Sequence, residues 1–143
     1  MSRWAQGVYQ VVNKHKYVGQ GAPRFRSSWE HAFFRFCDSN DHVLQWASEA
    51  IKIPYINPIT GKQTIYVPDV LITYQQKDGS TRAELVEIKP SGQSVIVEGM
   101  KPRDRAVVAV NYAKWAAAQK WCQRNGLSFR VITEQDMFVN GRR

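Results

Sequence analysis

The chain has 143 residues, enough for a single domain that buries about two-thirds of its unfolded surface. It carries 20 Lys and Arg against 12 Asp and Glu, a formal net charge of +8 that favours a polyanionic partner, nucleic acid being the commonest. An unbroken apolar stretch of about eighteen residues is missing, as is an apolar block at the start, which argues against a membrane span or a secretory leader.

Residues 1–26 contain Arg3, Lys14, Lys16, Arg24 and Arg26 and no acidic residue. With Gly19, Gly21 and Pro23 among them, they read as a basic N-terminal arm, extended along phosphates or disordered until a partner is present. The domain proper then occupies 27–143. A helix is expected from Ser27 or Ser28, with Trp29, Phe33, Phe36 and Cys37 at helical spacing and Asp38-Ser39-Asn40 as its stop. Ser27-x-x-Glu30 has the form of a capping box, in which Glu30 satisfies a backbone N–H and needs no chemistry. Val43 to Trp46 follows, then a strand-like run from Glu49 to Tyr55, ended by Pro58 and Gly61. Glu49 shares a face with Ile51, Ile53 and Tyr55, pointing inward or sitting at the wet end of the strand. Cys37 and Cys122 lack metal-ligand spacing and read as buried thiols.

Tyr66 to Pro90 reads as two strands around the turn Lys77-Asp78-Gly79-Ser80. With Gly79 in a left-handed position, Gln76 faces Ser80, and counting outward places Asp69 directly opposite Glu87. Glu87 and Lys89, two apart, share one face. Opposed carboxylates repel, and a sheet normally avoids them. A divalent cation turns that repulsion into a site, since carboxylate oxygens are the ligands Mg²⁺ prefers. A neighbouring Lys suits orienting a water or steadying negative charge on a phosphate. The plain alternative is that Glu87 and Lys89 line a solvated edge and Asp69 follows a turn at Pro68.

Beyond Pro90, residues 91–101 read as a mobile loop, followed by the basic cluster Lys101, Arg103 and Arg105, suited to holding phosphates. A helix runs from about Arg103 to Asn125 and closes at Gly126. Its apolar stripe is read as Val107, Val110, Lys114, Ala118 and Trp121, with Lys114 either snorkelling outward or reaching the hairpin carboxylates. The chain finishes with a strand at Phe129–Ile132, a capped turn over Thr133–Asp136 and a basic tail.

Pro68-Asp69 followed by Glu87-Ile88-Lys89 matches the PD-(D/E)xK nuclease signature. The element order also matches: a helix, a three-strand antiparallel meander, a helix and a strand, giving an α/β fold with a mixed central sheet between helices. Across Arg26 to Asp136 the chain resembles the head completion nucleases of T-even-type tailed phages and, more distantly, TnsA-type endonuclease subunits of transposons. Arg26-Ser27-Ser28-Trp29-Glu30, Val43-Leu44-Gln45-Trp46 with Ser48-Glu49, Ile53-Pro54-Tyr55, Tyr66-x-Pro68-Asp69, Val86-Glu87-Ile88-Lys89-Pro90, Asn111-x-Ala113-Lys114-Trp115 and Ile132-Thr133-Glu134 carry that resemblance. It implies a Mg²⁺-dependent DNA endonuclease, with Mn²⁺ able to substitute, that processes packaged DNA ends before the tail joins. Glu30, Asp69, Glu87 and the Ile88 carbonyl are then the implied metal ligands and Lys89 the catalytic lysine, with Lys114 beside them. Lys14, Lys16, Arg24, Arg26, Lys101, Arg103 and Arg105 are the candidate DNA contacts. The resemblance further implies work in the host cytoplasm, partners among portal or head–neck proteins, and incorporation in the virion head. A non-catalytic basic plug that holds DNA ends is the competing reading.

Overall fold

Val70, Ile72, Val86 and Ile88 point to one side of a sheet and Leu71 and Leu85 to the other, so both sides require cover. The computed structural model describes residues 6–136 and supplies that cover in two layers. The sheet is built from β3 (Val43–Ser48), β6 (Val70–Gln75), β7 (Thr81–Ile88) and β8 (Ser128–Ile132), in that spatial order. The first three are antiparallel, and β8 runs parallel to β7. A parallel neighbour needs a long crossover, which α2 (Pro102–Asn125) provides. The result is the expected α/β core, a mixed central sheet flanked by helices.

One face is covered by α1 (Ser28–Ser39), which buries Phe33, Phe34 and Cys37 against Trp46, Val70 and Val86. Phe34 is 1% exposed, and truncation of such a side chain to Ala typically costs about 3–5 kcal/mol. Phe36, expected on the buried stripe, lies 47% exposed and stacks on Phe33. The other face is covered by α2 together with a hairpin of β4 (Ile53–Ile56) and β5 (Gln63–Tyr66). This hairpin corrects the strand expected from Glu49 to Tyr55. The meander strand is β3, which ends at Ser48, and the chain pairs again only from Ile53.

In α2 the fully buried positions are Val108, Asn111, Ala118 and Cys122; of the expected stripe Ala118 is buried and Val110 and Trp121 pack against the same core, while Val107 is exposed. Gly126, with φ of 75°, closes the helix in the left-handed conformation that a side chain resists. The segment before α2 is tied down more than a mobile loop would be. A single 3-10 turn at Ser91–Gln93 places the Gln93 carbonyl where the buried Asn111 Nδ2 donates to it, at 3.0 Å.

The basic arm does not exist as such over its described part. β1 (Gly7–Val8) pairs with β2 (Arg24–Phe25), and Tyr9 is buried beside Phe34 and Trp46. The anchor is Asp38, 2% exposed, whose carboxylate accepts from the Tyr9 hydroxyl (2.8 Å) and the Val12 and Asn13 amides (2.8 and 2.9 Å). Lys16 is also buried, and its Nζ donates to the carbonyls of Asp38 (3.0 Å) and Asn40 (2.7 Å). A cation there satisfies carbonyls that the end of α1 leaves unpaired, so Lys16 is withdrawn from phosphate contact. Tyr17 then bridges to Trp46 in β3, with Trp46 N–H donating to the Lys16 carbonyl and Val18 N–H to the Trp46 carbonyl. Arg3 and the basic tail lie outside the described residues.

Candidate active site

The hairpin register decides the site. Gly79, φ 88°, closes the turn with its N–H donating to the Gln76 carbonyl, and Gln76 N–H donates to the Ser80 carbonyl. From there Gln75 pairs with Thr81 and Val70 with Val86, so Asp69, one residue before β6, faces Glu87 as the spacing predicts. Both side chains leave on the α2 side, with Leu71 and Leu85, and Lys89 follows on the same side.

Two hydrogen bonds hold Asp69. Its Oδ2 accepts from the Ile88 amide at 2.7 Å, and its carbonyl accepts from the Glu49 amide at 2.9 Å. An N–H and C=O of one strand residue leave on the same edge, so the Ile88 carbonyl faces the Asp69 side too. Glu49 itself adopts φ of 50°, in the left-handed region that favours glycine, and its side chain pairs outward with Arg26 Nη1 at 2.8 Å. Strain of this kind gathers at functional sites, here at the residue whose amide fixes Asp69.

Glu87 is 5% exposed and approaches Lys89 Nζ through Oε2 at 3.3 Å, while its Oε1 has no hydrogen-bond partner. Burial, then the charges of Glu87 and Glu30, push the Asp69 carboxyl well above the usual carboxylate range. Glu30 takes the capping role and also lies near the acidic pair. Ser27 Oγ caps α1 by accepting from the Glu30 amide at 3.1 Å, and Glu30 Oε1 in turn accepts from the Arg26 amide at 3.1 Å. Its carboxyl also lies close enough to the pair that burial, with Glu87 and Glu49 adding, raises its pKa. Lys114 lies over the Tyr66 ring, within electrostatic range of Glu87 and Asp69. Burial and then the Lys89 charge lower its pKa, against an opposing pull from Glu87 and Asp69. Its Nζ sits 5.7 Å from the centre of the Tyr66 ring.

The expected phosphate contacts divide. Lys14 and Arg24 are exposed, Arg26 is exposed but paired to Glu49, and Lys101, Arg103 and Arg105 are exposed where α2 begins. Lys16 is lost to the end of α1. What the residue pattern did not reveal is Glu49 as a strained anchor and Tyr66 and Trp115 as polar neighbours of Glu87. Aromatic side chains in apolar runs read simply as core, and no local signal marks a left-handed Glu.

A helix-flanked mixed sheet whose central hairpin delivers an acidic pair and a lysine at one end is the restriction-endonuclease-like core of PD-(D/E)xK nucleases. Within that class the chain belongs to the TnsA-like endonuclease family, whose N-terminal domain model matches residues 40–134. It is also 32% identical over 150 aligned positions to the head completion nuclease of Enterobacteria phage T4, an alignment covering 94% of this chain and 95% of that protein.

Removing one charge tests the crowding at this site. Asp69→Asn keeps an oxygen to accept from the Ile88 amide but ends the repulsion with Glu87. In chelator its Tm is expected to exceed that of the wild type by a few degrees, read by differential scanning fluorimetry. A lower Tm would mean that Asp69 is not held against another negative charge.

Proposed function

We propose that this protein is a divalent-cation-dependent DNA endonuclease that processes DNA ends as phage heads are completed. The observation that carries the reading is the Asp69–Glu87 pair, two carboxylates pressed together inside a protein of net charge +8. The donor set fits Mg²⁺ or Mn²⁺. It consists of hard oxygens, it includes a buried Glu87 oxygen lacking a partner, and the Ile88 carbonyl faces the same edge. Among the described residues no three His, Cys, Asp or Glu side chains converge on one point. Asp69, Glu87 and the Ile88 carbonyl would therefore hold the ion, with Glu30 joining once freed from the Arg26 amide. The other positions would go to water and phosphate oxygen.

When bound, such a cation supplies an activated water and charge neutralisation on the scissile phosphate. The chain's own residues do the rest. Lys89 Nζ, held at 3.3 Å by Glu87, lies beside the acidic pair, placed to orient the attacking water and to steady negative charge developing on the phosphate. Lys114, whose ammonium is partly desolvated, adds positive charge where negative charge develops on the phosphate oxygens. Lys101, Arg103 and Arg105 lie where α2 begins, after the 3-10 turn that follows β7, and would hold flanking phosphates. The name of the T4 relative supports placing the reaction at head completion, and so in the cytoplasm of an infected cell; portal or neck proteins as neighbours and the finished head as its final place are further parts of this proposal.

The test is cleavage of linear and branched DNA with Mg²⁺, Mn²⁺ or chelator. Cleavage is expected only with a divalent ion. Binding, measured by fluorescence anisotropy in chelator, is expected to weaken steeply between about 50 and 200 mM salt as released counterions oppose it. Salt-sensitive binding without cleavage under any divalent condition would overturn the nuclease reading in favour of a basic plug.

A further inference from the structure

Three buried polar atoms lack a hydrogen-bond partner around the acidic pair: Glu87 Oε1, the Tyr66 hydroxyl and Trp115 Nε1. Buried polar groups are rarely left so, and each is a chemical complement to another. An indole N–H only donates, an ionised carboxylate only accepts, and a phenol does both. The three come from separate elements, β7, β5 and α2, that meet at the α2 face of the sheet. Tyr66 is 4% exposed, so water has little access to its hydroxyl. Tyr66 and Trp115 pack in the same core cluster. Burial first, and then the Glu87 charge, push the Tyr66 pKa far up, with Trp115 acting in the opposite sense.

We infer that Trp115 and Tyr66 are positioning residues that form a donor chain, indole N–H to phenol oxygen and phenol O–H to Glu87 Oε1, fixing the carboxylate for its cation. The inference rests on the metal-dependent reading of the site. The chain has one possible polarity, and it ends on a carboxylate oxygen that Lys89 does not use. It therefore fixes the rotation of the Glu87 carboxylate, as outer hydrogen bonds commonly do for metal-ligating carboxylates. The Tyr66 ring also acts on Lys114, because its face lies beneath Lys114 Nζ at 5.7 Å. One aromatic residue thus holds an anion by its hydroxyl and a cation by its ring.

Substitution separates the hydroxyl from the ring. Tyr66→Phe keeps the ring and removes the donor, and Trp115→Phe removes the first donor of the chain. Mn²⁺ affinity is read directly by electron paramagnetic resonance, and cleavage is followed as kcat and KM for DNA. Wild type is expected to bind Mn²⁺, and Glu87→Gln to bind it far more weakly. Tyr66→Phe is expected to weaken Mn²⁺ binding and lower kcat about 10- to 100-fold, with KM for DNA and the circular dichroism spectrum unchanged. Trp115→Phe is expected to show the same pattern more weakly, and no further loss when combined with Tyr66→Phe. Tyr66→Leu adds loss of the ring and should lower kcat beyond Tyr66→Phe at saturating Mn²⁺. Wild-type Mn²⁺ affinity in Tyr66→Phe, with Glu87→Gln still defective, would overturn the donor chain and leave the metal site standing. Absence of Mn²⁺ binding in the wild type would overturn both.

Discussion

Lys89→Ala is expected to bind DNA like the wild type and to cleave it about two to four orders of magnitude more slowly. Lys89 approaches a carboxylate through its amine and is itself no metal ligand, so its loss leaves Asp69 and Glu87 in place. Its side chain is 21% exposed and its loss removes the ion pair to Glu87, but it lies beyond the last residue of β7 and outside both core clusters. Tm should accordingly move by no more than a few degrees. Lys114→Ala is the informative comparison, because Lys114 packs on Tyr66 and supplies charge from α2 without approaching Glu87 as closely. Its cleavage rate should fall less. Single-turnover rates at saturating Mg²⁺ or Mn²⁺, alongside anisotropy for binding, distinguish these outcomes. A Lys89→Ala protein cutting at the wild-type rate would remove this lysine from the reaction.

The largest effect on stability is expected at Asp38, far from any chemistry. Asp38→Ala removes one acceptor and strands three donors, the Tyr9 hydroxyl and the amides of Val12 and Asn13. Breaking a buried network of this kind costs about 3–5 kcal/mol, which for a chain of this length is a fall in Tm on the order of 10 °C. The pH dependence follows from the same bonds. Burial alone would raise the Asp38 pKa, but the hydrogen bonds from Val12, Asn13 and Tyr9 outweigh it and hold the carboxyl below its usual value. A depressed folded pKa means that the unfolded chain binds the proton more readily. Its contribution is therefore complete above the unfolded value near 3.8 and is lost as pH falls through the lower folded one. The Tm gap between wild type and Asp38→Ala should be full at pH 6 and narrow below about pH 4. Coincident melting curves at pH 6 would show that the Asp38 network does not hold the fold.

The sheet and its acidic pair were legible in the residues because their determinants are local. One glycine fixes the turn, alternation fixes the faces, and register carries both outward to Asp69 and Glu87. The N-terminal layer was not legible, because its determinant lies elsewhere in the chain. Five cations without an acid look like a solvated arm until Asp38, 25 residues from Asn13, takes up the Tyr9 hydroxyl and the Val12 and Asn13 amides. Lys16 illustrates the point: only the carbonyl end of α1 makes its burial tolerable, and nothing near residue 16 announces that helix end. In α2 the difficulty was a weak amphipathic signal. Ala and small residues leave two neighbouring stripes nearly equivalent, and in the folded chain Val108 is buried while Val107 is exposed.

The bridge between Tyr17 and Trp46 gives the N-terminal layer a bearing on solubility. β3 is the outermost strand on its side of the sheet, and an uncovered outer strand offers amides and carbonyls to any similar strand nearby. The Lys16 carbonyl and the Val18 amide occupy the hydrogen-bonding groups of Trp46 at the middle of β3. A chain shortened to begin near Arg26 would lose that cover while keeping Asp69, Glu87 and Lys89. Its failure should therefore appear as self-association through β3, visible as concentration-dependent light scattering, before it appears as a change at the carboxylates.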